Sequence, residues 1–131
     1  MGRMVKGFNA LLDFYLSKFS VPYQACLTED FDLLVNVRDQ GWVNARRLSG
    51  GQKVALVVAF RFALSELFAS KVPLLVFDEP TAWLDDKHIS YMVDVLQMAK
   101  SFINKGVYVL LVTHETALLP AMTRTVMIGD V

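Results

Sequence analysis

The sequence predicts an α/β layer fold with a parallel sheet and flanking helices. Two continuous apolar runs, residues 73–78 (PLLVFD) and 107–113 (VYVLLVT), suit strands covered on both faces, as in the centre of a parallel sheet. An amphipathic stretch over 86–104 lies between them, and an apolar helical stretch over 52–70 comes before. Strand and helix therefore alternate, which is the order of an α/β fold.

From the N-terminus, apolar residues at 8, 11, 12, 15, 16 and 19 recur at helical spacing and predict a helix over 5–20, stopped by Pro22. Residues 23–28 (YQACLT) and 31–38 (FDLLVNVR) read as strands. RDQG is a turn, and 42–47 (WVNARR) reads as the returning strand of a hairpin. Ser49-Gly50-Gly51 breaks that pattern and opens the 52–70 helix. Only Lys53, Arg61, Ser65 and Glu66 interrupt its apolar surface, so burial on several sides is expected. Gly106 ends the 86–104 helix, and 123–130 (TRTVMIGD) reads as a last strand. There are no repeats, linkers or low-complexity segments, and residues 1–131 are expected to form one domain.

The composition narrows the function. Hydrophobic residues make up 54% of the 131, and the mean hydropathy is +0.40. Such a chain has either an unusually full core or apolar surface meant for a partner. Thirteen basic residues balance thirteen acidic ones, so charge gives no support for a nucleic-acid binder. The single Cys26 excludes an internal disulfide framework and fits a reducing compartment. The longest apolar stretch, 54–69, is broken by Arg61 and Glu66 and is too short to span a bilayer. No signal-peptide layout opens the chain, so a cytoplasmic protein without a membrane partner is expected.

Three short strings carry candidate chemistry. LSGGQ (48–52) leads into a helix. Ser49 can cap it, and the glycines admit a close ligand, while free N–H groups favour an anion. Asp78 and Glu79 close a buried strand, where α/β sheets place their ligands. There Asp78 can hold Mg²⁺, and Glu79 can orient or deprotonate a water. His114 follows the second apolar run and shares the Asp78–Glu79 edge if the two strands are neighbours. Taken singly, such residues more often cap a loop or a helix, or stay structural. Residues 114–118 (HETAL) are not a zinc motif, because Leu118 stands at the second histidine position. His88 has no companion motif and is assigned to a helix surface. A phosphate-binding P-loop is missing. Of the seven glycines only Gly2 and Gly7 have its spacing, Phe8 and Asn9 follow in place of Lys and Ser/Thr, and no glycine precedes a lysine.

In order and spacing, LSGGQ, LLVFDEPTAWLD (74–85) and TH (113–114) resemble the signature motif, Walker B strand, D-loop and switch histidine of ABC-type ATPases. The resemblance covers residues 42–131. The hairpin before the signature, and the helix running on from it, are similar to the C-terminal head segment of the SMC-like double-strand-break repair ATPases of the SbcC type. In that family the P-loop lies at the far N-terminus, beyond a long coiled coil, and the two ends fold into one head.

The resemblance implies the C-terminal lobe of an ABC/SMC-like P-loop NTPase head, with an N-terminal helix and β-hairpin. Residues 1–20 would lie near the coiled-coil return. ATP and Mg²⁺ would be the cofactors. Ser49, Gly50 and Gly51 would contact the γ-phosphate held by a second head. Gln52 completes the motif, although many repair relatives carry Glu there. Asp78 would support Mg²⁺, Glu79 would activate water, Asp85 would align the dimer interface and His114 would sense the γ-phosphate. Trp83 stands in the D-loop where smaller or polar residues are usual. The implied partners are the P-loop lobe, a second head in a homodimer, a nuclease and DNA, with a cytoplasmic, nucleoid or nuclear location. The alternatives are a catalytically silent interaction module and an ABC transporter ATPase fragment.

Overall fold

The computed structural model describes residues 2–68, 74–81, 84–100 and 108–128. Trp83, Gly106 and residues 69–70, 73, 101–104, 107 and 129–130 of the expected elements lie outside these.

Helix α1 (Gly2–Phe19) buries Val5, Phe8, Leu12, Tyr15, Leu16 and Phe19, the stripe its spacing predicts. Strands β1 (Tyr23–Leu27) and β2 (Leu33–Val37) pair antiparallel, and β2 pairs antiparallel with β3 (Trp42–Asn44). β2 is therefore the central strand of a three-stranded sheet. The returning strand is shorter than expected. It ends at Asn44, whose side chain accepts the Arg46 N–H and turns Ala45–Arg47 into a 3-10 turn. Asn9 ties α1 to the sheet edge: its side chain donates to the Leu27 carbonyl and accepts the Leu27 N–H.

Helix α2 (Gly50–Leu67) starts two residues before the expected position, because Ser49 and Gln52 form a reciprocal capping box. It buries eight residues, among them Ala55, Val58, Ala59 and Ala63 with no exposed surface or nearly none. Tyr15 of α1 donates a 2.5 Å hydrogen bond to Glu66 of α2, and Tyr23 of β1 donates one of 2.7 Å to the Gln52 carbonyl. These bonds and the shared apolar cluster join α1, the antiparallel sheet and α2.

Strand β4 (Leu74–Asp78) pairs parallel with β5 (Tyr108–Val112), and α3 (Asp86–Lys100) lies between them in the chain. A 3-10 turn over Thr116–Ala121 follows, and its Leu118 and Ala121 pack with Val54, Met92 and Leu96. The alternation of strand and helix is as expected, and the fold is α/β with a parallel sheet.

Coverage of that sheet differs from expectation. Only one face is buried, through Leu75 and Phe77. The other presents Leu74, Val76, Tyr108, Leu110 and Val112, with Tyr108 72% exposed. Period-two geometry and the register set these side chains side by side, Leu74 beside Tyr108 and Val76 beside Leu110. The sequence runs are apolar at every position, but no described element covers the second face. Of the last strand expected over 123–130, the described residues 123–128 have no strand pairing, and Ile128 is 95% exposed. A strand needs a hydrogen-bonded neighbour, which no described residue supplies to this segment. No helix among the described residues is long and apolar enough to cross a membrane.

Candidate functional site

The structure gathers the candidate residues into two clusters. The first forms at the C-terminal ends of the parallel strands. Register pairs Asp78 with Val112, so Glu79 meets Thr113 and His114 one step further on. The Glu79 N–H donates to the Val112 carbonyl at 2.6 Å. Its carboxylate accepts the His114 N–H at 3.0 Å, lies 3.0 Å from the His114 Nδ1, and accepts the Thr113 hydroxyl at 3.4 Å. Glu79 adopts a positive φ of 47°, a left-handed conformation that costs a non-glycine residue on the order of 1–2 kcal/mol. Strain of this kind concentrates at functional sites, where neighbouring contacts hold it.

The Glu79 carboxylate raises the His114 pKa above its usual range, first by hydrogen bonding and then by charge. The histidine is 81% exposed, and Glu79 is about one-third exposed. The pair can hold or pass a proton at the sheet edge in contact with solvent.

ATP and Mg²⁺ are the groups the resemblance implies. Asp78 ends β4 with an exposed side chain, whereas the Glu79 carboxylate is engaged by His114 and Thr113. Among the described residues no cluster of three or more His, Cys, Asp or Glu forms a protein-only metal cage. Mg²⁺ keeps several waters and uses one or two carboxylates together with phosphates, so Asp78 alone fits it.

The second cluster lies at the start of α2. Ser49 Oγ accepts the Gln52 N–H at 3.4 Å, and Gln52 Oε1 accepts the Ser49 N–H at 3.1 Å. This frees Gly50 and Gly51, in the first turn, to present their N–H groups at the positive end of the helix dipole. Asp85 caps α3: its carboxylate accepts the His88 N–H at 2.9 Å and its carbonyl accepts the Ile89 N–H at 2.9 Å. The backbone bond from His88 holds the Asp85 carboxyl below its usual range, and the imidazole charge adds to this.

His88 is the residue that sequence reasoning assigned elsewhere. It is not on an open helix surface. Its Nδ1 lies 2.6 Å from Asp85 Oδ1, and its ring lies against Gly50 and Gly51. The signal in the sequence was its spacing three residues after Asp85, the N-cap to N3 interval of a helix.

The fold is similar to part of the SMC ATPase head domains. A structure of SMC ATPases, solved for their ATP-driven dimerization and DNA-stimulated activation, superposes with a TM-score of 0.68 at 17% identity, over 98% of this chain and 80% of that one. The SMC head domain from Thermotoga maritima gives 0.63 at 21% identity, over 93% of this chain and 44% of that one.

In sequence the chain is similar to the DNA double-strand break repair Rad50 ATPases. It is 38% identical to that of Thermococcus kodakarensis over 63% of this chain and 9% of the relative, and 30% identical to that of Saccharolobus solfataricus over 69% and 10%. No family model matches the chain. Sequence relatives and fold neighbours together support an SMC-like, Rad50-type ATPase head segment. The chain spans about one-tenth of the length of these curated relatives.

Proposed function

We propose that this chain is one lobe of a composite ATPase head, and that it hydrolyses ATP only when joined to a lobe that bears a P-loop. The observation that carries this reading is the uncovered apolar face of the β4–β5 sheet, which ends at Asp78, Glu79 and His114. A phosphate-binding loop is missing from the sequence, while the residues for later steps are present. An exposed apolar sheet face of this kind marks an interaction surface. The Rad50 relatives, named as ATPases, support the assignment.

In this head Asp78 would hold Mg²⁺, which would supply neutralisation of phosphate charge. Glu79 takes a proton from the attacking water, and His114 both steadies that carboxylate and faces the γ-phosphate. Ser49, Gly50, Gly51 and Gln52 form the turn that closes over ATP held by a second head, with Asp85 at the same interface. Catalysis is then positioning and electrostatics, as phosphoryl transfer requires. The output proposed for the assembled head is ATP-driven pairing of two heads, DNA tethering and control of a nuclease, in a cytoplasmic, nucleoid or nuclear location.

The test is a Mg-ATP titration of the purified chain by calorimetry, repeated after assembly with a P-loop lobe. Expected are no binding to the chain alone and one ATP bound and hydrolysed per assembled head. Saturable binding to the chain alone overturns the composite reading. An assembled head that binds ATP and never hydrolyses it favours a silent interaction module.

A further inference from the structure

His88 has no motif of its own, yet it joins two of them. The Asp85 Oδ1 that accepts the His88 N–H also lies 2.6 Å from the ring Nδ1. A carboxylate only accepts, so the ring carries its proton on Nδ1 and is pinned at that end. The opposite edge lies over the first turn of α2. A Cβ added to Gly50 would sit 3.0 Å from both Cε1 and Nε2, and one added to Gly51 would sit 3.5 Å from Cδ2. Neither glycine has a positive φ. The backbone would therefore accept any residue at Gly50, and alanine would favour the helix. The imidazole, rather than the dihedral angles, is what a side chain there would press against, and the pinned ring would have to give by a few tenths of an ångström.

We propose that His88 is a positioning residue that wedges the Asp85 cap of α3 against the Gly50–Gly51 turn, so that the two move as one body. The proposal rests on the ATPase-head reading above, in which the turn and Asp85 meet the same second head. Locked together, both contacts form in one event. Without the ring, the turn keeps its own capping box and the Tyr23 bond to the Gln52 carbonyl, and it settles separately from Asp85.

Two measurements test this. The first uses the chain alone and does not depend on ATP. Gly50→Ala is expected to lower the thermal midpoint by about 3 °C, the order expected of a 1 kcal/mol change in a chain of this size. Combined with His88→Ala, it is expected to lower it no further than His88→Ala alone. An equal drop in both backgrounds overturns the wedge.

The second uses the head assembled with its P-loop lobe and reads the ATP concentration for half-maximal pairing. His88→Ala is expected to raise it about fivefold, in the range of one lost hydrogen bond, with kcat at saturating ATP within about twofold. His88→Gln keeps a donor for Asp85 and most of the bulk, and is expected to stay near wild type. An unchanged His88→Ala, or a His88→Gln as defective as alanine, overturns the positioning role. If the wild-type head shows no ATP-driven pairing, the ATPase reading and the positioning role fail together, and the wedge is still decided by the first measurement.

Discussion

His114 and Glu79, just past the C-terminal ends of neighbouring parallel strands, meet with Nδ1 and Oε1 3.0 Å apart, and the His114 N–H donates to the same oxygen. Glu79 makes these contacts with its backbone in the left-handed region, at φ 47°. Its carboxylate is held by Thr113 and His114, next to β5. In the assembled head, Glu79→Gln is therefore expected to lower turnover by at least about a hundredfold, within the range for a lost general base. ATP-driven pairing, which does not use the base, is expected to persist. Steady-state hydrolysis and size-exclusion with ATP separate the two. Surviving turnover would remove Glu79 as the base.

The same pair sets a pH dependence. Glu79 raises the His114 pKa above its unfolded value near 6.5. The stabilisation is thus fully present below that value and is lost as pH rises through the raised one. A proton-NMR titration of the His114 ring is expected to show the upward shift. Glu79→Gln is expected to return the midpoint toward the ordinary histidine range. A midpoint that ignores the substitution would locate the cause elsewhere.

Ser49 has a structural role that must be separated from its proposed role at the head interface. Its capping box means that Ser49→Ala costs about 1 kcal/mol of stability. Ser49→Arg is expected to cost a similar amount in the chain alone, and in addition to block pairing of assembled heads. Denaturant melts and ATP-dependent pairing measure the two effects. Normal pairing by Ser49→Arg would remove the signature-turn assignment.

The uncovered sheet face offers a direct probe of the composite head. Leu110 is 52% exposed, and replacing it with lysine opens no cavity. Leu110→Lys is expected to change chain stability by no more than about 0.5 kcal/mol, as surface substitutions usually do. Assembly with the P-loop lobe is expected to weaken at least tenfold, about 1.4 kcal/mol, in a pull-down titration. Undiminished assembly would mean that the lobe docks elsewhere.

The interior behaves differently. Leu12 has no exposed surface and packs within the main apolar cluster. Leu12→Ala is expected to cost about 2–5 kcal/mol, the range for a large-to-small change in a filled core. A denaturant melt reads the loss, and a change below about 1 kcal/mol would mean that α1 does not anchor the core.

Much of this protein was legible from residue order alone. Helical spacing placed α1, an amphipathic stretch placed α3 and continuous apolar runs placed β4 and β5, because these patterns are local properties of the chain. The order of LSGGQ, DEPTAWLD and TH located the residues that form the two clusters. The tertiary structure alone decided three matters. It set which face of the parallel sheet is covered, since an all-apolar strand carries no mark of what lies opposite it. It left 123–128 unpaired, since a strand exists only where a second edge meets its hydrogen bonds. It brought His88 onto Gly50, since the start of α3 and the start of α2 are distant in sequence and meet only through packing. Local periodicity reports how a segment can fold, and only contact between distant segments determines what each side chain touches.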